Sequence, residues 1–130
     1  MKRRYMLATF LYCAWIFWMS SQPRPLGVEL PGGFGLDKMA HFVVYAGLAG
    51  LVSVGLQRSD TRLSVRWQFW FPILFAAVYG VTDEIHQLFV PQRVFSIGDI
   101  LANTAGAFAA QYFLWYVWWR LRQTVPVPAK

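Results

Sequence analysis

The sequence predicts an all-α fold: one bundle of four membrane-spanning helices with both termini cytoplasmic. Three observations carry that expectation. The 130-residue chain is 57% hydrophobic and 14% charged, against roughly 25% charged in a soluble domain. Four long apolar stretches divide it, and basic residues flank those stretches instead of forming a patch. So few charges cannot clothe a water-facing surface, which excludes disorder, a fibrous repeat and an ordinary soluble enzyme. A single domain over 1–130 is expected, with helices at about 5–21, 38–56, 67–89 and 99–119.

The first apolar stretch, Tyr5–Met19, has 15 residues and borrows Ser20 and Ser21. Lys2, Arg3 and Arg4 ahead of it also describe a signal peptide. No Ala-x-Ala site follows, and Trp15, Phe17 and Trp18 make the run bulky, so a retained helix is expected. The second stretch, Met39–Leu56, meets the span length of about 20 residues. The third, Trp67–Val81, is short and borrows Thr82–Phe89; Pro72 near its start either begins or kinks the helix. The fourth is Ile100–Trp119. Without water in a bilayer core, helices are the only conformation for such runs. Gln22–Leu36, with three prolines and four glycines, reads as an irregular outer loop, and Val125–Lys130 as a short tail.

Charge orients the bundle. One side holds Lys2, Arg3, Arg4, Arg58, Arg62, Arg66, Arg120, Arg122 and Lys130 against Asp60 alone. The other holds Arg24, Lys38 and Arg93 against Glu29, Asp37, Asp83, Glu84 and Asp99. The positive-inside rule makes the first side cytoplasmic. Trp67, Trp70, Trp118 and Trp119 then form an inner aromatic belt, and Trp15 and Trp18 an outer one. The net charge of +6 comes without a basic patch, so no nucleic-acid partner is expected. Cys13 is the only cysteine and reads as a small buried hydrophobe.

The unusual polar residues gather on the outer side. Asp37, Lys38, His41 and Tyr45 open the second helix; Asp37, His41 and Tyr45, at i, i+4 and i+8, share a face. Asp83, Glu84, His86 and Gln87 close the third, with Asp83 and Gln87 on one face. Arg93 lies in the turn, and Asp99 and Asn103 open the fourth helix above Gly106 and Ala110. Ionisable groups within a membrane are costly and usually functional. Asp37 and Asp99 also suit helix N-termini, and Ser96-x-x-Asp99 matches a capping box. Asp83 and Glu84 do not suit a helix C-terminus, where the macrodipole opposes negative charge, so they call for a cation: Arg93, Lys38, a metal or a ligand. Lys38 is expected to reach the headgroups. One pocket is expected to gather Asp37, Asp83, Arg93 and Asp99.

The ordered set Asp37-Lys38-x-x-His41, Asp83-Glu84-x-His86-Gln87 with Phe89, Pro91 and Arg93, then Asp99 and Asn103-x-x-Gly106, resembles the VanZ-like family. That family is named for a small membrane protein linked to resistance to the glycopeptide teicoplanin. The resemblance covers the second to fourth helices; the first helix and the tail carry no signature. Where the family usually has Gly before the turn arginine, this chain has Gln92. The resemblance implies a bacterial cell-membrane protein working on cell-wall or lipid chemistry at the outer surface, and no settled reaction.

Three functions compete. The first is binding of a membrane lipid or lipid-linked cell-wall precursor by Asp37, Lys38, His41, Tyr45, Asp83, Glu84, His86, Gln87, Arg93, Asp99 and Asn103, with Arg93 on a phosphate or carboxylate. The second is an intramembrane hydrolase or transferase on a lipid-linked phosphate, with catalytic candidates Asp83, Glu84, Asp99 and His41. A divalent metal ion is the one cofactor considered, with Asp37, His41, Asp83 and Asp99 as candidate ligands; there is no His-Glu-x-x-His spacing. The third is a polar knot locking three helices. A homo-oligomer would enclose more space than a four-helix monomer. Binding ranks first.

Overall fold

A computed structural model describes residues 1–23, 34–59 and 63–124. These residues fold as four helices: α1 (Arg3–Ser20), α2 (Phe34–Gln57), α3 (Val65–Gln87) and α4 (Ile97–Thr124). The fold is all-α. The middle of the expected outer loop, 24–33, and the tail, 125–130, lie outside the described residues, as does the Trp119 side chain. The last residues assigned to that loop, 34–36, already belong to α2, so Asp37 sits within the first turn instead of capping the helix.

α3 begins two residues before Trp67 because the Ser64 side chain accepts a hydrogen bond from the Trp67 N–H, satisfying one of the orphan donors of a helix start. Pro72 therefore lies inside the helix, not at its beginning. A proline has no N–H, so the Gln68 carbonyl four residues back lacks its helical donor. Gln111 of α4, fully buried, donates its amide Nε2 to that carbonyl at 3.3 Å.

α2 packs most extensively on α4; α1 touches α2 and α3. Small residues set the distances. A side chain at Gly106 would collide with the Phe42 backbone, so the α2–α4 crossing depends on glycine there, and Gly80 makes room for Asn103 and Tyr45. Two tyrosines tie α1 in. The Tyr12 hydroxyl donates to the Val44 carbonyl at 3.0 Å, and the Tyr79 hydroxyl to the Cys13 carbonyl at 2.6 Å.

The helix ends separate into two groups. At one, the site end, Ser21 meets His86, Lys38 meets Asp99, and Glu84 meets Ser96. At the other, the terminal end, the Lys2 N–H donates to Ser59 Oγ at 2.7 Å, and Met1 and Tyr5 lie against Gly55. Among the described residues the terminal end holds Lys2, Arg3, Arg4, Arg58, Arg66 and Arg120 and no acid.

Polarity is inverted relative to a soluble domain. Asp83, Glu84, Gln87, Asp99, Asn103 and Gln111 are buried, while Phe10, Trp18, Val43, Val78, Leu101 and Phe113 are more than half exposed. By length and composition alone, one helix among the described residues suffices to cross a membrane: Gly35–Gln57, mean hydropathy 1.8. The expectation of four spans holds at that level for α2 only. Arg3 and Arg4 dilute α1, Arg66, Asp83 and Glu84 dilute α3, and Asp99, Asn103 and Gln111 dilute α4. Most of the polar residues in α3 and α4 face other helices instead of the outside.

Candidate functional site

The site is assembled where α2 and α4 begin and α3 ends. Ser96 precedes α4, and its Oγ accepts from the Asp99 N–H at 3.2 Å, which is half of a capping box. In a full box the Asp99 carboxylate would accept the Ser96 N–H. Here Glu84 of α3 takes that donor instead, through Oε2 at 3.0 Å. The Asp99 carboxylate is thereby released to face α2.

Lys38 Nζ reaches Asp99 Oδ1 at 2.5 Å and Ser96 Oγ at 3.4 Å. A side chain at Gly98 would obstruct that path. Lys38 thus turns inward to α4, against the expectation that it reaches headgroups. The two carboxylate oxygens of Asp99 divide their work, since Oδ2 faces His41 Nε2 at 3.9 Å. Asn103, one turn below Asp99, bonds His41 Nδ1 through Oδ1 at 3.0 Å.

Two adjoining clefts result. The first, about 180 Å³, has a polar side of Asp37, His41, Tyr45, Asp83, Gln87 and Arg93 and an apolar wall of Trp15, Ile16, Met19 and Val44. The second, about 200 Å³, is lined by Asp37, Lys38, Gln87, Arg93, Val94, Ser96 and Asp99. Asp37, Gln87 and Arg93 border both. Of the four residues expected in one pocket, Asp37 and Arg93 border both clefts, Asp83 lines the first and Asp99 the second.

Asp83 accepts from Gln87 Nε2 at 3.3 Å through Oδ2. Its Oδ1 is buried without a hydrogen-bond partner, as is the Tyr45 hydroxyl, which lies against the Asp83 carboxylate without closing a bond of ordinary geometry. Arg93 Nε donates to the Gln22 carbonyl at 3.1 Å, which ties the α3–α4 turn to the end of α1.

Two expected site residues lie elsewhere. Glu84 is fully buried at the start of α4 and lines neither cleft. His86 turns to α1, where its ring stacks on Phe17 at 4.3 Å and Nε2 meets Ser21 Oγ at 3.0 Å. About 100° per residue separates both from the Asp83–Gln87 face. The apolar wall from α1 went unforeseen, because that helix carries no motif. For a metal ion, Asp37, His41 and Asp99 each offer one ligand atom within 4.8 Å of the others. Asp83, also a candidate by sequence, is not in that group.

A family model described as VanZ/LLP1 matches residues 3–120. The chain belongs to the VanZ/LLP1 family. No curated protein and no solved structure matches it. The VanZ/LLP1 match begins at the first residue of α1, so the family domain includes the helix that supplies the apolar wall. Membership places this VanZ/LLP1 chain among membrane proteins.

Proposed function

We propose that this VanZ/LLP1 protein spans a bacterial cell membrane with all four helices, its site end outward, and binds there the polar headgroup of a lipid-linked envelope component. The observation that carries the reading is the first cleft. Its floor is ionisable and includes two buried polar atoms without partners, while its wall is apolar. An amphiphile fits both halves, its headgroup on the polar floor and its apolar part on the wall. Arg93 suits a phosphate or carboxylate, and Asp37 and Asp83 suit donors on the same headgroup. The inverted polarity of the bundle supports lipid as the surrounding solvent. The basic cluster at the terminal end, without an acid among the described residues, supports its placement in the cytoplasm. α1, with 18 residues, is about 27 Å long, close to the ~30 Å hydrocarbon thickness.

The test is mass spectrometry of lipids co-purified in mild detergent with the wild type and with Asp83→Asn, which keeps the shape of the side chain. One lipid class should be enriched with the wild type and lost from the variant. The same lipid profile with both proteins refutes the reading. Orientation is checked in a Cys13→Ala background. Val94→Cys should react with an impermeant thiol reagent in whole cells and Leu63→Cys should not.

A further inference from the structure

Three side chains from two helices turn donor atoms toward one point. Asp37 and His41 stand one turn apart on α2, and Asp99 faces them from the first turn of α4, with the donor atoms within 4.8 Å of one another. Acids at a helix start are commonplace, and alone they would mean nothing. Here two of the three donors are oriented from behind. Asn103 Oδ1 sits 3.0 Å from His41 Nδ1. A carbonyl oxygen only accepts, so Nδ1 is the ring nitrogen engaged by Asn103, and Nε2 is the one turned to α4. Nε2 lies 3.9 Å from Asp99 Oδ2, while Lys38 holds the other oxygen of the same carboxylate. That separation lets one ion between Nε2 and Oδ2 touch both. Hydrogen-bonded ligands of this kind are the usual outer support of a metal ion.

A second observation points to a ligand independently. Tyr45 is 1% exposed and Asp83 5% exposed. The Tyr45 hydroxyl and Asp83 Oδ1 lie against each other without closing a hydrogen bond of ordinary geometry, and both residues line the same cleft as Asp37 and His41. Buried polar atoms in that state are costly unless something bound in the cleft answers them.

We propose that Asp37, His41 and Asp99 hold a divalent transition-metal ion of the Mn²⁺ or Zn²⁺ kind. Donors about 2.1 Å from one ion stand roughly 3–4 Å apart, the range in which His41 Nε2 and Asp99 Oδ2 already lie. The imidazole sets the preference against Mg²⁺ and Ca²⁺, which take oxygen donors. Three protein ligands leave a coordination position open, and the cleft shared by Asp37 and His41 is where it is reached. Asp83 and Tyr45 serve there as partners for whatever occupies that position. The inference does not depend on what lipid the cleft takes.

The experiment uses the full chain in mild detergent, stripped with a chelator and titrated with Mn²⁺ followed by electron paramagnetic resonance. One ion per chain should bind, displaced by Zn²⁺ and not by a large excess of Mg²⁺. Pulsed measurements on the wild type should show coupling to an imidazole nitrogen that changes on ¹⁵N-histidine labelling; this needs no variant and so is immune to misfolding. Asp99→Asn and His41→Gln should each weaken binding by about 100-fold or more, beyond the roughly 10–100-fold typical of outer-shell changes. His86→Gln, outside both clefts, should bind as the wild type does. Absence of a stoichiometric ion, absence of the nitrogen coupling, ready displacement by Mg²⁺, or coupling lost in His86→Gln and kept in His41→Gln would each overturn the proposal. Ion binding without lipid retention would leave it standing and refute only the headgroup reading.

Discussion

The terminal half and the site end of the bundle both bury polar side chains, for different reasons. In the terminal half, Gln111 donates to the Gln68 carbonyl, the one group on α3 that Pro72 leaves without a donor. At the site end Glu84 has the same kind of task, since it accepts the Ser96 N–H at the start of α4. Each of these side chains also keeps one unpartnered oxygen. The contrast with Asp83 is therefore not a count of orphans. Glu84 and Gln111 close a backbone gap and line neither cleft, whereas the Asp83 carboxylate meets side chains, Gln87 and Tyr45, and faces a cleft. A buried group that closes a backbone gap is retained by folding. One that leaves a buried oxygen on a cleft wall is retained by something that enters the cleft.

The largest effect expected from that contrast is at Glu84. Glu84→Leu strands the Ser96 N–H and should cost about 2 kcal/mol, within the roughly 1–3 kcal/mol of an unsatisfied buried donor. Glu84→Gln keeps an acceptor and should cost less. Asp83→Asn, one residue away, should be neutral or stabilising by up to about 1 kcal/mol, because it removes a negative charge from the unfavourable end of the α3 dipole. Equilibrium unfolding in mixed micelles measures all three. If Asp83→Asn costs as much as Glu84→Leu, the two acids have the same job and the contrast collapses.

A smaller effect tests the terminal half. Gln111→Leu should cost about 1 kcal/mol, in keeping with hydrogen bonds between helices in a membrane. In a Pro72→Ala background the Gln68 carbonyl regains its own helical donor, so the same substitution should cost markedly less. The double-mutant cycle isolates that coupling from the volume lost at Pro72. Additive costs would show that Gln111 is packed there for another reason.

Much of this arrangement is legible in the sequence, and what is not has a common cause. The apolar runs locate four helices, and charge counting brings the starts of α2 and α4 to the same end as the close of α3. Helical periodicity puts Asp83 and Gln87 on one face, and the structure does the same. For Lys38 the nearest acid in sequence is Asp37, whereas its partner Asp99 is 61 residues away and is brought close by the α2–α4 crossing at Gly106. Glu84 lies about 100° off Asp83, so periodicity allows it either to widen the site or to point elsewhere, and nothing local shows that the chain between α3 and α4 returns Ser96 to it. Pro72 is visible as a helix disturbance, but the repair comes from a distant amide with no motif around it. Pairings between helices depend on crossing geometry, and one sequence does not display that.

The smallest effect concerns the turn that carries Arg93. Val90, Pro91, Gln92 and Arg93 form a β-turn in which the Arg93 N–H donates to the Val90 carbonyl at 3.2 Å. Gln92 has φ 65°, a left-handed conformation among the described residues found at no other non-glycine position. Proline second and a positive φ third define a type II turn, whose third position favours glycine. The departure from the family's usual Gly at this position therefore places strain in the turn. Gln92→Gly relieves roughly 1–2 kcal/mol of left-handed strain and gives back roughly 0.5–1 kcal/mol through the freer unfolded chain. The net gain should be about 0.5 kcal/mol, read as a small rise in unfolding midpoint in the same micelles. The direction matters for the contrast between the two halves. A gain locates strain at the site end, beside Arg93, one of three residues that border both clefts, as happens where a turn is shaped for a ligand. A loss would mean that Gln92 makes an interaction worth more than the strain, and the turn would then belong with Glu84 and Gln111 among the parts that folding itself maintains.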